Sequence, residues 1–121
     1  MKKVTFLLAL VILSLVGARP ALADMGMECT DNMSTVESLQ MCVQHAYDQG
    51  HIDSKGVAKS LFAKLDAAQA AVDRGQPGVA INILQAFVQQ VEAQAGKHIE
   101  ADRAMHMVHH VEMVIEALAG Q

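Results

Sequence analysis

Residues 54–95 decide the fold, and their sequence is SKGVAKSLFAKLDAAQAAVDRGQPGVAINILQAFVQQVEAQA. Apolar side chains recur every three or four positions in both halves of this stretch, which is the spacing of a helix with one buried face. The predicted inner faces consist of Ala58, Leu61, Phe62, Leu65, Ala68 and Val72, then Ala80, Leu84, Phe87, Val88 and Val91. The halves are separated by Gly75-Gln76-Pro77-Gly78, in which Gly favours a helix end and Pro is tolerated in a first turn. The stretch therefore predicts two helices joined by a short turn.

The same helical spacing extends to both sides of this pair. A capping box of Ser34 and Glu37 predicts the start of a preceding helix, and Gly50 suits the left-handed position after its end. Ile99 can act as a hydrophobic staple for a last helix. The predicted helices span about 34–49, 54–74, 78–95 and 100–119. No stretch alternates with the period of a strand, and four helices with short links predict an all-α domain, a small four-helix bundle over residues 34–121.

The first 23 residues have the pattern of a secretory signal peptide. Lys2 and Lys3 precede an apolar segment at residues 4–16, and Ala21-Leu22-Ala23 is a typical cleavage site. The apolar segment is shorter than the roughly 20 residues that a membrane-spanning helix needs. We therefore expect an exported protein, periplasmic or secreted, with residues 24–33 forming an N-terminal arm and with no membrane span in the mature chain.

Removal of the signal peptide changes the charge of the protein. The whole chain has 9 basic and 13 acidic residues. Three of the basic residues lie in the first 23 positions, so the mature balance is 6 − 13 = −7. This charge disfavours nucleic acid as a partner, because binding it requires basic side chains that neutralise phosphates.

Two cysteines, Cys29 and Cys42, remain after cleavage. Exported domains commonly form disulfides because their compartment is oxidising. A disulfide between them would connect the arm to the first helix. Thiolate ligation of a metal is the alternative, and the absence of a C-x-x-C pair disfavours it.

Several segments together resemble the FIMAH domain, a small all-helical module of secreted and cell-surface bacterial proteins. They are YDQGHI at residues 47–52, SLFAKL at 60–65, AINILQAFVQQV at 80–91 and GKHI at 96–99, with Ala68, Ala71 and Gly75 between them. The resemblance covers about residues 36–118. It implies an accessory module of the kind commonly attached to extracellular hydrolases and adhesion-type proteins, and it implies no catalytic residue.

The fourth predicted helix carries the sequence MHMVHHVEM at residues 105–113. At 100° per residue, its core stripe consists of Ala104, Met107, Val108, Val111, Ile115 and Leu118. His106, His109, His110 and Met113 fall on the opposite face, and all four are predicted to be exposed. Met107, like Met41 of the first helix, is predicted to fill the core.

This His/Met face admits three interpretations. It can be an ordinary solvated surface, or a surface that packs against a partner helix. It can also bind a metal, because His106 and His110 are four residues apart and two imidazoles at that spacing can reach one ion. Imidazole and thioether together suit copper, and imidazole alone suits zinc. Weaker candidates for soft-metal ligands are Met25, Met27 and Met105.

Enzymatic motifs are missing from the sequence. It contains no G-x-S-x-G, no phosphate-binding glycine loop and no H-E-x-x-H. We therefore predict a non-enzymatic accessory module without a cofactor, which docks to a protein or a cell-envelope component through exposed helix faces. The alternative is a periplasmic copper- or zinc-binding protein that uses the His/Met face.

Overall fold

The computed structural model describes residues 33–121, and most of this part of the chain is helical. The helices are α1 (Val36–Asp48), α2 (Lys55–Asp73), α3 (Pro77–Gln94) and α4 (Ala101–Ala119). Each boundary lies within two residues of its prediction, so the all-α four-helix prediction is confirmed. The predicted signal peptide and most of the predicted arm, with Met25, Met27 and Cys29, lie outside the described residues.

The start of α1 differs from the predicted capping box by one residue. The N-cap is Thr35, whose hydroxyl oxygen accepts from the backbone N–H of Ser38 at 3.2 Å. The predicted box of Ser34 and Glu37 is therefore wrong. With the cap at Thr35, Val36 becomes the first helical residue and is buried in the core. The helix therefore begins at the position that places Val36 in the core.

Both α1 and α2 end in the same backbone motif, with a glycine as the first residue past the cap. Gly50 has a φ of 81° and Gly75 a φ of 72°, values that are strained for residues with a side chain. After α1, the N–H of His51 donates to the Ala46 carbonyl at 2.9 Å. This is the Schellman motif, which satisfies carbonyls that the end of a helix would leave without partners. The prediction that Gly50 occupies this position is confirmed.

The four helices form a closed ring in which each packs against two others. Contacts join α1 to α2, α2 to α3, α3 to α4 and α4 back to α1, with none across either diagonal of the described bundle. The largest fully buried apolar side chains are Phe87, Leu39, Ile52, Leu61, Leu65, Leu84 and Ile99. Phe62, Val72 and Val88 are partly buried and pack against the edge of this core. Helix α4 therefore has two packed flanks, one against α1 and one against α3.

Two loops meet at one end of the bundle and hold each other in place. Ile52 and Ile99 form a short antiparallel bridge, and both side chains are buried. The N–H of Asp53 donates to the His98 carbonyl at 3.0 Å, and the N–H of Glu100 donates to the His51 carbonyl at 2.9 Å. The side chains repeat this pairing, because His51 contacts Glu100 and His98 contacts Asp53. These histidines therefore belong to a loop contact, which joins the α1–α2 link to the α3–α4 link.

The two methionines predicted to fill the core differ in the structure. Met107 is buried, as predicted, whereas Met41 is 57% exposed. The buried residues of α1 are Val36, Ser38, Leu39, Cys42, Val43 and Ala46. Met41 projects outside the arc that these residues define, so its assignment to the core was wrong.

Candidate functional site

Helix α4 carries the residues on which the predicted docking function and the alternative metal-binding function depend. Its first flank packs against α1 and its second flank against α3. The buried residues of α4 are Ala104, Met107, His110, Val111, Val114 and Leu118. Packing on two flanks buries a wider arc than a helix with one neighbour would bury, and this arc extends as far as His110.

His110 is 1% exposed, so its predicted position on the outer face was wrong. The helical wheel placed it 40° from His106 and outside the core stripe. In the structure that edge of the wheel faces α1, and the imidazole enters the seam between the two helices. A buried polar group is stable where its hydrogen-bonding groups have partners. The α1 side of the seam supplies such partners.

The ring of His110 lies in a cluster with two residues of α1 and the chain that precedes it. Its Nε2 is 2.9 Å from the Ser38 hydroxyl oxygen and 2.9 Å from the Met33 carbonyl oxygen. Its Nδ1 is 3.5 Å from the Cys42 sulfur. The Ser38 hydroxyl also contacts the Met33 carbonyl and reaches the Thr35 carbonyl at 2.6 Å. We call Met33, Ser38, Cys42 and His110 the His110 cluster.

A count of protons assigns the roles on the Nε2 side of the His110 ring. A carbonyl oxygen only accepts, so the Nε2 that contacts Met33 must carry the hydrogen. The single hydroxyl proton of Ser38 then points to a carbonyl of Met33 or Thr35. A serine nucleophile needs the opposite arrangement, with its proton aimed at an imidazole lone pair. The contact of Ser38 with His110 therefore has the geometry of a structural hydrogen bond.

The predicted disulfide begins at a residue of this cluster. Cys42 is buried, and it is not a free thiol. Its predicted partner, Cys29, lies outside the described residues, and the pairing stays a prediction.

The rest of the predicted His/Met face lies on the outside of α4. His106 and His109 are exposed, whereas Met113 is half-buried. Met105, predicted as a weaker ligand, is 70% exposed. The structure therefore separates His110 from the other three residues and places Met105 with them. In the described part of the chain, no group of three or more His, Cys, Asp or Glu side chains is arranged to hold a metal ion.

An open groove of about 460 Å³ lies where the end of α3 meets the first turns of α4. Ala95, Ala101 and Ala104 line it with short side chains, which leave the space unfilled. Met105, Val108 and His109 line it from α4. Two carboxylates, those of Glu92 on α3 and Glu112 on α4, complete it. We call this feature the α3/α4 groove.

The sequence-based prediction did not include Ser38 of the His110 cluster or Glu92 of the groove among the site residues. Ser38 is four residues before Cys42, so helical spacing already places it beside the inner face of α1. A buried hydroxyl at that position needs a polar partner, and this requirement was a signal for a second buried polar residue. Glu92 lines the groove because α3 packs against α4. No local sequence spacing predicts that contact.

These features define a small helical module with an open apolar groove and a buried polar seam. The chain matches the FIMAH domain family over residues 36–116, more than half of its length, and it belongs to that family. Comparison with curated proteins and with solved structures finds no match. None of the helices among residues 33–121 is both long enough and apolar enough to span a membrane.

Proposed function

We propose that this protein is an exported, non-enzymatic docking module, periplasmic or secreted, that binds a protein or cell-envelope component through α4. The observation that carries the proposal is Met105, which is 70% exposed beside the α3/α4 groove. Met105 borders Val108 and the alanines of the groove, so the exposed apolar surface is contiguous there. Contiguous apolar surface is a feature of interaction sites on soluble proteins. Membership of a family of helical modules from surface proteins agrees with this function.

The docking surface differs from the one that the sequence alone suggested. It consists of Met105, His106, His109 and Met113, without His110, whose imidazole is buried. Met105 and His109 line the α3/α4 groove. His106 and Met113 lie farther around α4. A partner that enters the groove would therefore meet the His/Met face along one edge.

Photo-crosslinking tests the docking function directly. The exported protein would carry a photoreactive phenylalanine derivative at position 105, and a matched variant would carry it at position 41 of α1, whose Met is similarly exposed. We expect irradiation of cells to give a defined adduct from position 105 that position 41 does not give. Identical adducts at both positions, or none at 105, would contradict docking through α4.

Metal binding is retained as a second proposal, but its ligand set changes. The spacing of His106 and His110 motivated it, and His110 now donates to the Met33 carbonyl inside the bundle. A site on the outer face would have to use His106, His109 and Met113, with copper or zinc as the ion.

Calorimetry with Cu(I), Cu(II) and Zn(II) on the purified protein tests this second proposal. Submicromolar binding that is lost in a His106→Ala, His109→Ala variant would support it. His51→Ala is a matched control, because His51 lies in the loop contact at the end of the bundle. Absence of binding, or equal loss in the control, would remove the metal proposal.

A further inference from the structure

We infer that the α3/α4 groove binds a cationic amphipathic helix, with apolar side chains against Met105 and positive charges beside Glu92 and Glu112. This inference rests on the proposed docking function and specifies the chemistry of the partner. It uses the shape, the apolar lining and the charge of the groove. These three properties are independent of the His/Met spacing on which the original prediction was based.

The shape of the groove fits a helix. Its α4 side runs from Ala101 to Glu112, a distance of about 17 Å at the rise of an α-helix. That length accommodates about three turns of a partner helix that lies along it. Amphipathic helices bind such grooves through apolar side chains spaced three and four residues apart. The alanines that line the groove leave room for the anchoring side chains.

The apolar lining indicates what would be buried on binding. Met105 is 70% exposed, and Val108 beside it is half-buried. Methionine adapts its shape to different neighbours, because its side chain is unbranched and flexible. Covering Met105 and Val108 removes apolar surface from water, which favours association.

The charge of the groove selects a cationic partner. Glu92 and Glu112 lie on different helices, and neither forms an ion pair within residues 33–121. Among the described residues that line the groove, none is Lys or Arg. Lysine or arginine side chains on the partner would therefore meet carboxylates that do not already have a cationic partner. Complementary charge of this kind increases the association rate and the specificity of binding.

A second copy of the chain fits the groove less well. If two copies met symmetrically through α4, Glu112 of each would approach the acidic groove of the other. Like charges in an interface are unfavourable. A symmetric contact through this groove is therefore disfavoured, and dimerisation becomes an alternative outcome of the experiment.

Fluorescence anisotropy with designed peptides tests the inference. The probe is a labelled 18-residue helical peptide with leucines on one face and lysines on the other, and the matched peptide has glutamate in place of lysine. The protein variants are Glu92→Gln with Glu112→Gln, and Met105→Ser. Their controls are Glu37→Gln with Asp66→Asn, which removes the same charge on α1 and α2 outside the groove, and Met41→Ser.

We expect the lysine peptide to bind and the glutamate peptide not to bind. Loss of both groove carboxylates should weaken binding about fivefold, and added salt should abolish this difference. Met105→Ser should weaken binding about tenfold, because an apolar contact is lost. Each control should change the affinity less than twofold, and thermal melting monitored by circular dichroism should show that every variant is folded.

Three results would overturn the inference. They are failure of the lysine peptide to bind, equal weakening by the groove pair and the control pair, and a concentration-dependent dimer that loses affinity in Met105→Ser. The crosslinking experiment separates this failure from that of the docking function. An adduct at position 105 without binding of the lysine peptide would mean that α4 docks a partner of different chemistry. Failure of both experiments would remove the docking function itself.

Discussion

The two flanks of α4 differ in the burial of their polar and apolar side chains. Toward α1, the flank buries His110 and gives its Nε2 a carbonyl and a hydroxyl oxygen at 2.9 Å. Toward α3, it leaves Met105 70% exposed beside an unfilled groove. A polar side chain is thus inside on one flank, whereas an apolar side chain is outside on the other.

This difference separates the residues that hold the module together from those available to a partner. A buried imidazole contributes to stability only while its partners are in place, so the α1 flank should be sensitive to substitution. An exposed methionine contributes little to folding, so Met105 beside the α3/α4 groove should tolerate substitution. The following predictions test this division in order of expected effect on the free energy of unfolding.

The largest effect concerns the predicted disulfide at the α1 flank. Cys29→Ala, which leaves the buried Cys42 in place, should lower the free energy of unfolding by about 3 kcal/mol, because the unfolded chain is no longer constrained. Urea denaturation with and without a dithiol reductant measures the change. The reductant should destabilise the wild-type protein to a similar extent and leave Cys29→Ala unchanged. A wild-type protein insensitive to the reductant would show that the disulfide is not formed.

Removal of the buried imidazole should have the next largest effect. His110→Ala creates a cavity and leaves the Met33 carbonyl without its imidazole donor. We expect a loss of about 2 kcal/mol in urea denaturation. His106→Ala, on the exposed side of the same helix, is the control and should change stability by less than about 0.5 kcal/mol. Equal effects of the two substitutions would mean that the histidines occupy similar environments.

A smaller effect is expected at Ser38, the α1 member of the cluster. Ser38→Ala removes a hydroxyl that contacts His110 and two carbonyls, and it should cost about 1 kcal/mol. Ser34→Ala, outside the cluster, is the control. If Ser38 and His110 act together, the double variant should lose less stability than the sum of the single variants. Strict additivity would contradict coupling through the hydrogen bond.

The helices were predictable from local signals, whereas the positions of the two sites were not. The apolar spacing around Leu61 and Leu84 and the glycines at 50 and 75 are local, and they located the elements to within two residues. The burial of His110 depends on its packing against α1, which is about 70 residues away in the sequence. The wheel placed Val108 and Ile115 in the core stripe of α4, but both are half-buried. Packing against α1 shifts the fully buried arc toward His110 and Val114. The α3/α4 groove likewise forms between two helices. Their relative placement cannot be read from the sequence of either helix alone.

The smallest expected effect is the most informative about function. Met105→Ser should change the free energy of unfolding by less than about 0.5 kcal/mol, because its side chain is already in water in the folded protein. The same substitution should weaken binding of the lysine peptide about tenfold, as proposed above for the groove. Such a residue would separate binding from folding, in contrast to His110, whose loss destabilises the bundle. If Met105→Ser instead destabilised the protein as much as His110→Ala, the methionine would be part of the packed structure. Met105 would then have a structural role like that of His110.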